Sequence, residues 1–362
     1  MGKEEPVLRS IASWIPHEFK TPDGKFMLKI RRSLLAIGLS MLVASGPVLA
    51  QPALEKVEVR LDWTITGYQL PLYWAAKKGY FQQEGLDVEI KPGAGSQQTI
   101  NLVGGGHDDI GLADVSLAAV SISRGMKVKA IFGIVQTDAW SVYSHGAKPI
   151  LKPSDLPGKS VVCVVDHRPL LDLLMQRYKV DASTVQVRTV NAATRNTVFA
   201  QHAADGLLGI SSNSTASLGG GDVRVMHLSD FGVNLLGQGL IANDDFLTNR
   251  PEVARRFIKA VARAFQDVSQ EKNVSEALDI AYAMSGSSSA MREATRVDWL
   301  STIPRLASKN TRGHPIGWMS EVDWNDTLKT LKETNRIDSA LPLADVYTNK
   351  FISGNAQGLV HQ

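Results

Sequence analysis

The sequence predicts an α/β protein built as two α/β lobes and a helical C-terminal tail. Three observations carry this. Apolar strands alternate with helices from Val57 to Val135, the spacing of a largely parallel sheet. The alternation restarts at Ser154 and runs to Leu228, giving a second run of similar build. After Leu240 the pattern turns helical and stays so.

In the first run, Val57, Val59 and Leu61 alternate with charged residues, as in a half-buried strand. Leu70 to Lys78 reads as a helix, with Pro71 in its first turn and Gly79 past its end. Leu86 to Ile90 is a strand, and Ser96 to Val103 is a helix stopped by three glycines. Ile110 to Ala113, Ser116 to Ser123 and Val128 to Val135 read as strand, helix and strand. In the second run the strands are Ser160 to Val165, Val185 to Val190, Gly206 to Ile210 and Val223 to Leu228. Helices at Pro169 to Tyr178, Thr194 to His202 and Ser214 to Leu218 separate them. Pro251 to Val268 is strongly amphipathic, with Val253, Phe257, Val261, Ala264 and Phe265 on one face. Ser275 to Met284, Ala290 to Leu300 and Glu321 to Glu333 complete the tail. The expected division is therefore residues 51–145 for the first lobe and 146–232 for the second. Residues 233–362 return to the first lobe and form the tail.

Residues 1–50 read as an address. Lys29, Arg31 and Arg32 precede an uncharged apolar stretch from Leu34 to Val43, and Val48 and Ala50 suit a signal-peptidase site. A secretory signal peptide cleaved after Ala50 is expected, and with it a periplasmic location. The apolar run is short of the ~20 residues a membrane span needs. Met27 begins a signal peptide of normal layout, so residues 1–26 are expected to be an upstream extension.

The leader also explains the charge. The whole chain has 39 Lys+Arg against 36 Asp+Glu, a net charge of +3. Residues 1–50 hold seven basic and four acidic side chains, so 32 of each remain beyond them. A neutral mature chain with no basic stripe argues against nucleic acid as a partner. One cysteine excludes a disulfide scaffold.

Familiar chemistry is missing. There is no phosphate-binding G-x-x-x-x-G-K-[ST], no H-E-x-x-H, and no histidine pairing that suits a metal. Gly237-Gln238-Gly239-Leu240-Ile241-Ala242 fits G-x-G-x-x-A, but Asn243-Asp244-Asp245 follows where a helix would be needed. No cofactor, metal or catalytic residue is therefore expected. Cys163, inside an apolar strand, reads as a core residue.

Open α/β sheets bind ligands beyond the carboxyl ends of their strands. Trp63 ends the first strand and can stack on a planar ligand or cover the core end; Asp62 beside it can accept ring N–H groups. Gly95 and Ser96 open a helix whose N–H groups can hold oxygens, or Ser96 is an ordinary N-cap. Asp114 has two open roles, ligand contact or capping. In the second lobe Arg168 can clamp an oxyanion or pair with Asp166. Ser211 and Asn213 are expected in a hydroxyl-rich turn facing the same cleft. Trp140, near the crossing between lobes, offers a second aromatic wall.

Val59-Arg60-Leu61-Asp62-Trp63-Thr64, then Leu72 to Phe81, then Glu84-Gly85-Leu86-Asp87-Val88 resemble the opening of a known family. These are the periplasmic substrate-binding proteins for thiamine pyrimidine precursors and their nitrate, sulfonate and taurine relatives. Gly93 to Ser96, Gly106 to Gly111, Asp155 to Lys159 and Pro251 to Phe257 continue the likeness, which runs over residues 57–268. The resemblance implies a type II periplasmic-binding-protein fold, two α/β lobes with a hinge that close on a ligand, docking on the membrane permease of an ABC importer. A monomer is expected. The expected ligand is a small planar nitrogen heterocycle, with a sulfonate, taurine or nitrate as the alternative. A ligand sensor or a secreted enzyme on the same fold remains a different class of reading. The related eukaryotic pyrimidine synthases carry a cysteine-rich motif that this chain lacks, so no enzymatic activity is expected.

Overall fold

The computed structural model describes residues 53–137, 140–191, 194–210, 218, 220–338 and 341–353. The leader and the segment 211–217 lie outside them.

Two five-stranded sheets form the frame. The first contains β1 (Glu55–Arg60), β2 (Leu86–Lys91), β3 (Ile110–Asp114), β4 (Val128–Gly133) and, late in the chain, β10 (Gln238–Asn243), in the order β2-β1-β3-β10-β4. β1 runs parallel to β2 and β3, and β10 is inserted antiparallel between β3 and β4. The second contains β5 (Trp140–His145), β6 (Ser160–Val164), β7 (Gln186–Val190), β8 (Gly206–Ile210) and β9 (Val223–His227), in the order β7-β6-β8-β5-β9. Here β5 is the antiparallel insertion, between β8 and β9.

Helices fill the connections: α1 (Leu70–Lys77), α2 (Tyr80–Gln83), α3 (Ser96–Gly104) and α4 (Val115–Ile122) in the first lobe, α5 (Arg168–Arg177) and α6 (Arg195–Ala200) in the second. The tail adds α7 (Asp244–Asn249), α8 (Pro251–Val268), α9 (Glu271–Ser285), α10 (Arg292–Thr302), α11 (Glu321–Glu333) and α12 (Leu343–Val346). The amphipathic face predicted for α8 is buried, and Phe257 stacks on Phe81 with ring centroids 5.2 Å apart. α8 and α9 pack on α1, and α11 and α12 pack on α4, so the tail wraps the first lobe. Among the described residues no helix is long and apolar enough to cross a membrane.

Two antiparallel strands escaped the sequence pattern. In β5 the apolar–polar alternation is misleading, because both faces are buried. Ser141 bonds the His227 ring at 2.9 Å, and the Ser144 hydroxyl accepts the Ile150 N–H at 2.8 Å. Buried hydroxyls are tolerated when so paired. β10 occupies the G-x-G-x-x-A stretch; Asn243 ends it and caps α7 by accepting the Asp245 N–H at 2.8 Å. A first lobe drawn to residue 145 therefore misplaces β5, whose partners are β8 and β9. The chain crosses instead between Gly133 and Trp140, and returns between His227 and Gln238. The two crossings are tied together: Val135 N–H donates to the Gln238 carbonyl at 2.8 Å, and Gly237 N–H to the Val135 carbonyl at 2.9 Å.

Candidate ligand-binding site

A cleft of about 590 Å³ lies between the sheets. The loop after β1 supplies Asp62, Trp63, Thr64, Ile65 and Thr66, with Tyr68 just beyond; the start of α3 supplies Gly95 and Ser96. The tail contributes Met291 and, from α10, Ala294, Thr295 and Asp298, and the second lobe contributes Arg195, Asn196 and Ile210.

The first-lobe wall is fixed by its own hydrogen bonds. Asp62 is 5% exposed, and its two oxygens accept the Tyr68 hydroxyl and the Gln69 amide, each at 2.9 Å. Burial pushes its pKa up to about 6 against the lowering effect of these bonds. Its carbonyl accepts the Gly95 N–H at 2.7 Å, and Gly95 takes a φ of +117°, which a side chain would strain. Asp298 reaches the same wall from α10. One of its oxygens accepts the Gly67 N–H at 2.7 Å; the other, Oδ1, is buried with no hydrogen-bond partner among the described residues. Burial pushes Asp298 up to about 7, and the Asp62 charge adds to the shift. Gly67 is required here, because a Cβ on it would sit 2.2 Å from the Trp299 backbone nitrogen.

Above this floor the wall is apolar. Trp63 is 54% exposed and Met291 60%, and both line the cleft, where they offer apolar surface to a ligand. Across the cleft, Arg195 Nε and Asn196 Oδ1 are buried and, among the described residues, without hydrogen-bond partners.

Of the residues predicted from sequence, Asp62, Trp63, Gly95 and Ser96 share this cleft. The Ser96 hydroxyl is turned inward, accepting the Asp114 N–H at 3.0 Å. Of its two open roles, the Asp114 carboxylate takes capping: it accepts the Leu117 N–H at 2.8 Å and caps α4. Trp140 is buried at 7% exposure and packs edge-on against the His167 ring. Arg168 pairs with Asp172 one helical turn on, 3.3 Å away, rather than facing the cleft. Ser211 and Asn213 lie outside the described residues. Among the described residues no group of three or more His, Cys, Asp or Glu could hold a metal ion.

Sequence reasoning passed over Arg195, Asn196 and Asp298. The first two follow β7, so the rule about carboxyl ends of strands applied to them as well as to Arg168. Asp298 carried no local signal, since its role depends on how α10 packs against the loop after β1.

Two α/β lobes, each with one strand lent across a paired crossing and a cleft between them, define a type II periplasmic-binding-protein fold. The periplasmic aliphatic sulphonate-binding protein SsuA of Escherichia coli has this fold, at 13% identity and a TM-score of 0.62, over 85% of this chain and 95% of that one. The chain belongs to the NMT1/THI5-like family, whose model matches residues 66–273. It is similar to the riboflavin-binding protein RibY of Chloroflexus aurantiacus, 22% identical over 91% of this chain and all of that protein. It is equally similar, at 22%, to the formylaminopyrimidine-binding protein of Halalkalibacterium halodurans, over 89% of this chain and 98% of that protein. A Saccharomyces cerevisiae relative, the 4-amino-5-hydroxymethyl-2-methylpyrimidine phosphate synthase THI11, is 26% identical over 58% of this chain and 66% of its own.

Proposed function

We propose that the protein is the substrate-binding component of an ABC importer, carrying a small planar nitrogen heterocycle to a membrane permease. One observation carries the reading. An exposed Trp63 stands over a cleft whose buried polar atoms, Asp298 Oδ1 and Asn196 Oδ1, are left unpaired on opposite walls. Buried polar groups are nearly always paired, so such atoms mark where ligand atoms belong. In this reading the ring stacks on Trp63 and donates N–H groups to Asp298, while Asp62 holds the loop in place. The printed names of two relatives, a riboflavin-binding and a formylaminopyrimidine-binding protein, support a nitrogen heterocycle.

Ligand binding in a hinged fold shifts the balance between lobe arrangements by the ligand's preference for one of them. The proposal includes export by the signal peptide, action as a monomer, and no chemistry on the ligand. Cys163 is buried in β6, where burial raises its pKa, a poor setting for a nucleophile.

The test is a thermal-shift screen of the exported protein against thiamine pyrimidines, flavins, aromatic carboxylates, sulfonates and nitrate, since a ligand for the native state raises stability by mass action. Heterocycles should shift the melting temperature and be recovered chemically unchanged. A shift with sulfonates or nitrate alone would remove the heterocycle. N-terminal sequencing of the exported form should read from Gln51.

A further inference from the structure

The second-lobe wall of the cleft holds a cation without a counter-charge. Arg195 begins α6, its Nε is buried, and among the described residues no carboxylate oxygen lies within 4.0 Å of its guanidinium. The titratable group that acts on it is the Tyr143 phenol, which burial pushes up to about 12 and which is therefore neutral at pH 7. The carboxyls of the opposite wall answer to other groups: Asp298 to Gly67, Asp62 and Arg305, and Asp62 to Tyr68, Gln69 and Asp114. The two poles of the cleft do not neutralise each other.

A guanidinium stays protonated in any protein, so burial cannot switch this charge off. Arg195 is half-buried: Nε is shut off from solvent and, among the described residues, unpaired, so the guanidinium has lost part of its hydration with no protein partner in return, a loss that a ligand oxyanion would offset. Arginine's planar fork of donors matches the two oxygens of an oxyanion.

We propose that Arg195 is the specificity-determining residue of this cleft, and that the ligand is an anionic heteroaromatic, a planar nitrogen ring carrying a carboxylate or similar oxyanion. This rests on the heterocycle reading above and narrows it. The ring lies on Trp63 with its N–H edge toward Asp298, and the oxyanion lies across the cleft on Arg195. A neutral ring of the same shape would fill the first-lobe wall and leave the cation uncompensated.

The test uses the exported protein and its Arg195→Met and Arg195→Lys variants. Matched probes are titrated by calorimetry: uracil and its 6-carboxylate, nicotinamide and nicotinate, pyrazinamide and pyrazinoate, with ethanesulfonate and sulfate as ringless anions. The carboxylated member of a pair should bind roughly tenfold to a hundredfold tighter than the neutral one, the range of a charge-assisted hydrogen bond. Arg195→Met should erase the difference within each pair, and Arg195→Lys should restore part of it. Equal binding within pairs, or a preference that survives Arg195→Met, overturns the proposal and leaves the heterocycle reading intact. Binding of ethanesulfonate or sulfate with no ring probe bound, or no binding by any probe, overturns both. A second readout needs no ligand. Removing an uncompensated charge should leave the melting temperature of Arg195→Met equal to or above the parent's, and a lower one would show that the cation already has a partner within the protein.

Discussion

Strand order is the same in the two sheets, yet the two walls of the cleft are built differently. Each sheet places its antiparallel strand next to last, β10 in the first and β5 in the second, and each of these strands follows a crossing. In the first lobe the site residues stand on the main core. Asp298 adjoins Trp299, which is fully buried and donates its indole N–H to the Val268 carbonyl at 2.9 Å. In the second lobe Arg195 and Asn196 stand on α6, whose Phe199 belongs to a separate cluster of Tyr143, Val162, Phe199, Ala204, Leu207 and Leu218. One wall is anchored on the main core and largely hydrogen-bonded within itself, with Asp298 Oδ1 left over. The other rests, through α6, on a small satellite core and leaves Arg195 Nε and Asn196 Oδ1 unpaired among the described residues. Under the proposed function, ligand settles first on the Trp63 wall and α6 completes the site.

The largest expected effect tests that anchoring. Trp299→Ala should lower the unfolding free energy by about 3–5 kcal/mol, the usual range for deleting a buried Trp, measured by urea denaturation. Phe199→Ala removes a side chain of the same class, but its damage should stay local. Hydrogen exchange should quicken in α6 and β8 while β1 and β3 keep their protection. Equal loss of protection in both sheets would break the comparison.

Next comes pH, where the lobes should respond in opposite directions. Asp62 and Asp298 are held above the ordinary carboxyl value, at about 6 and about 7. Between roughly pH 4 and 7 the folded state therefore keeps protons the unfolded chain has released, and stability falls as pH rises. Asp298→Asn should flatten the upper part of that slope. In the second lobe His145 is held below its ordinary value by burial and by the adjoining His202. There the unfolded chain takes up protons first, so stability falls as pH drops below about 6.5. Unfolding curves at stepped pH, with His145→Phe as the second variant, separate the two arms.

Trp63→Ala should weaken a ring ligand by about 1–3 kcal/mol, an order taken from base–aromatic stacking, with no loss of stability because the side chain is half exposed. Calorimetry reads the first and urea denaturation the second. Unchanged affinity would remove Trp63 from the site.

The sequence carried more of the first wall than of the second, for a physical reason. The parallel strands and α8 announce themselves because burial imposes a period on local sequence. So does the loop at Asp62-Trp63, which follows a strand end directly. β5 and β10 hid because buried hydroxyls and glycines interrupt their apolar pattern. Asp298 hid because its value is created by a partner 231 positions away, Gly67. Arg195 was within reach of the strand-end rule, since it follows β7 as Arg168 follows β6.

Arg168 gives the smallest effect and the sharpest contrast with Arg195. Both follow strands of the second sheet, and both lie at the first position of a helix. Arg168 has its side chain 47% exposed and its guanidinium shared with Asp172 at 3.3 Å, an i,i+4 pair on the surface of α5. Such pairs contribute about 0.3–0.5 kcal/mol and are screened by salt. Arg168→Ala should therefore change stability by no more than about 0.5 kcal/mol and leave ligand affinity unaltered, measured in the same titrations as the Arg195 variants. A large loss of affinity in Arg168→Ala would mean that the helix after β6 turns toward the ligand when the lobes close. The oxyanion would then have two arginines to choose between, and the second wall would be assembled by the ligand rather than waiting for it.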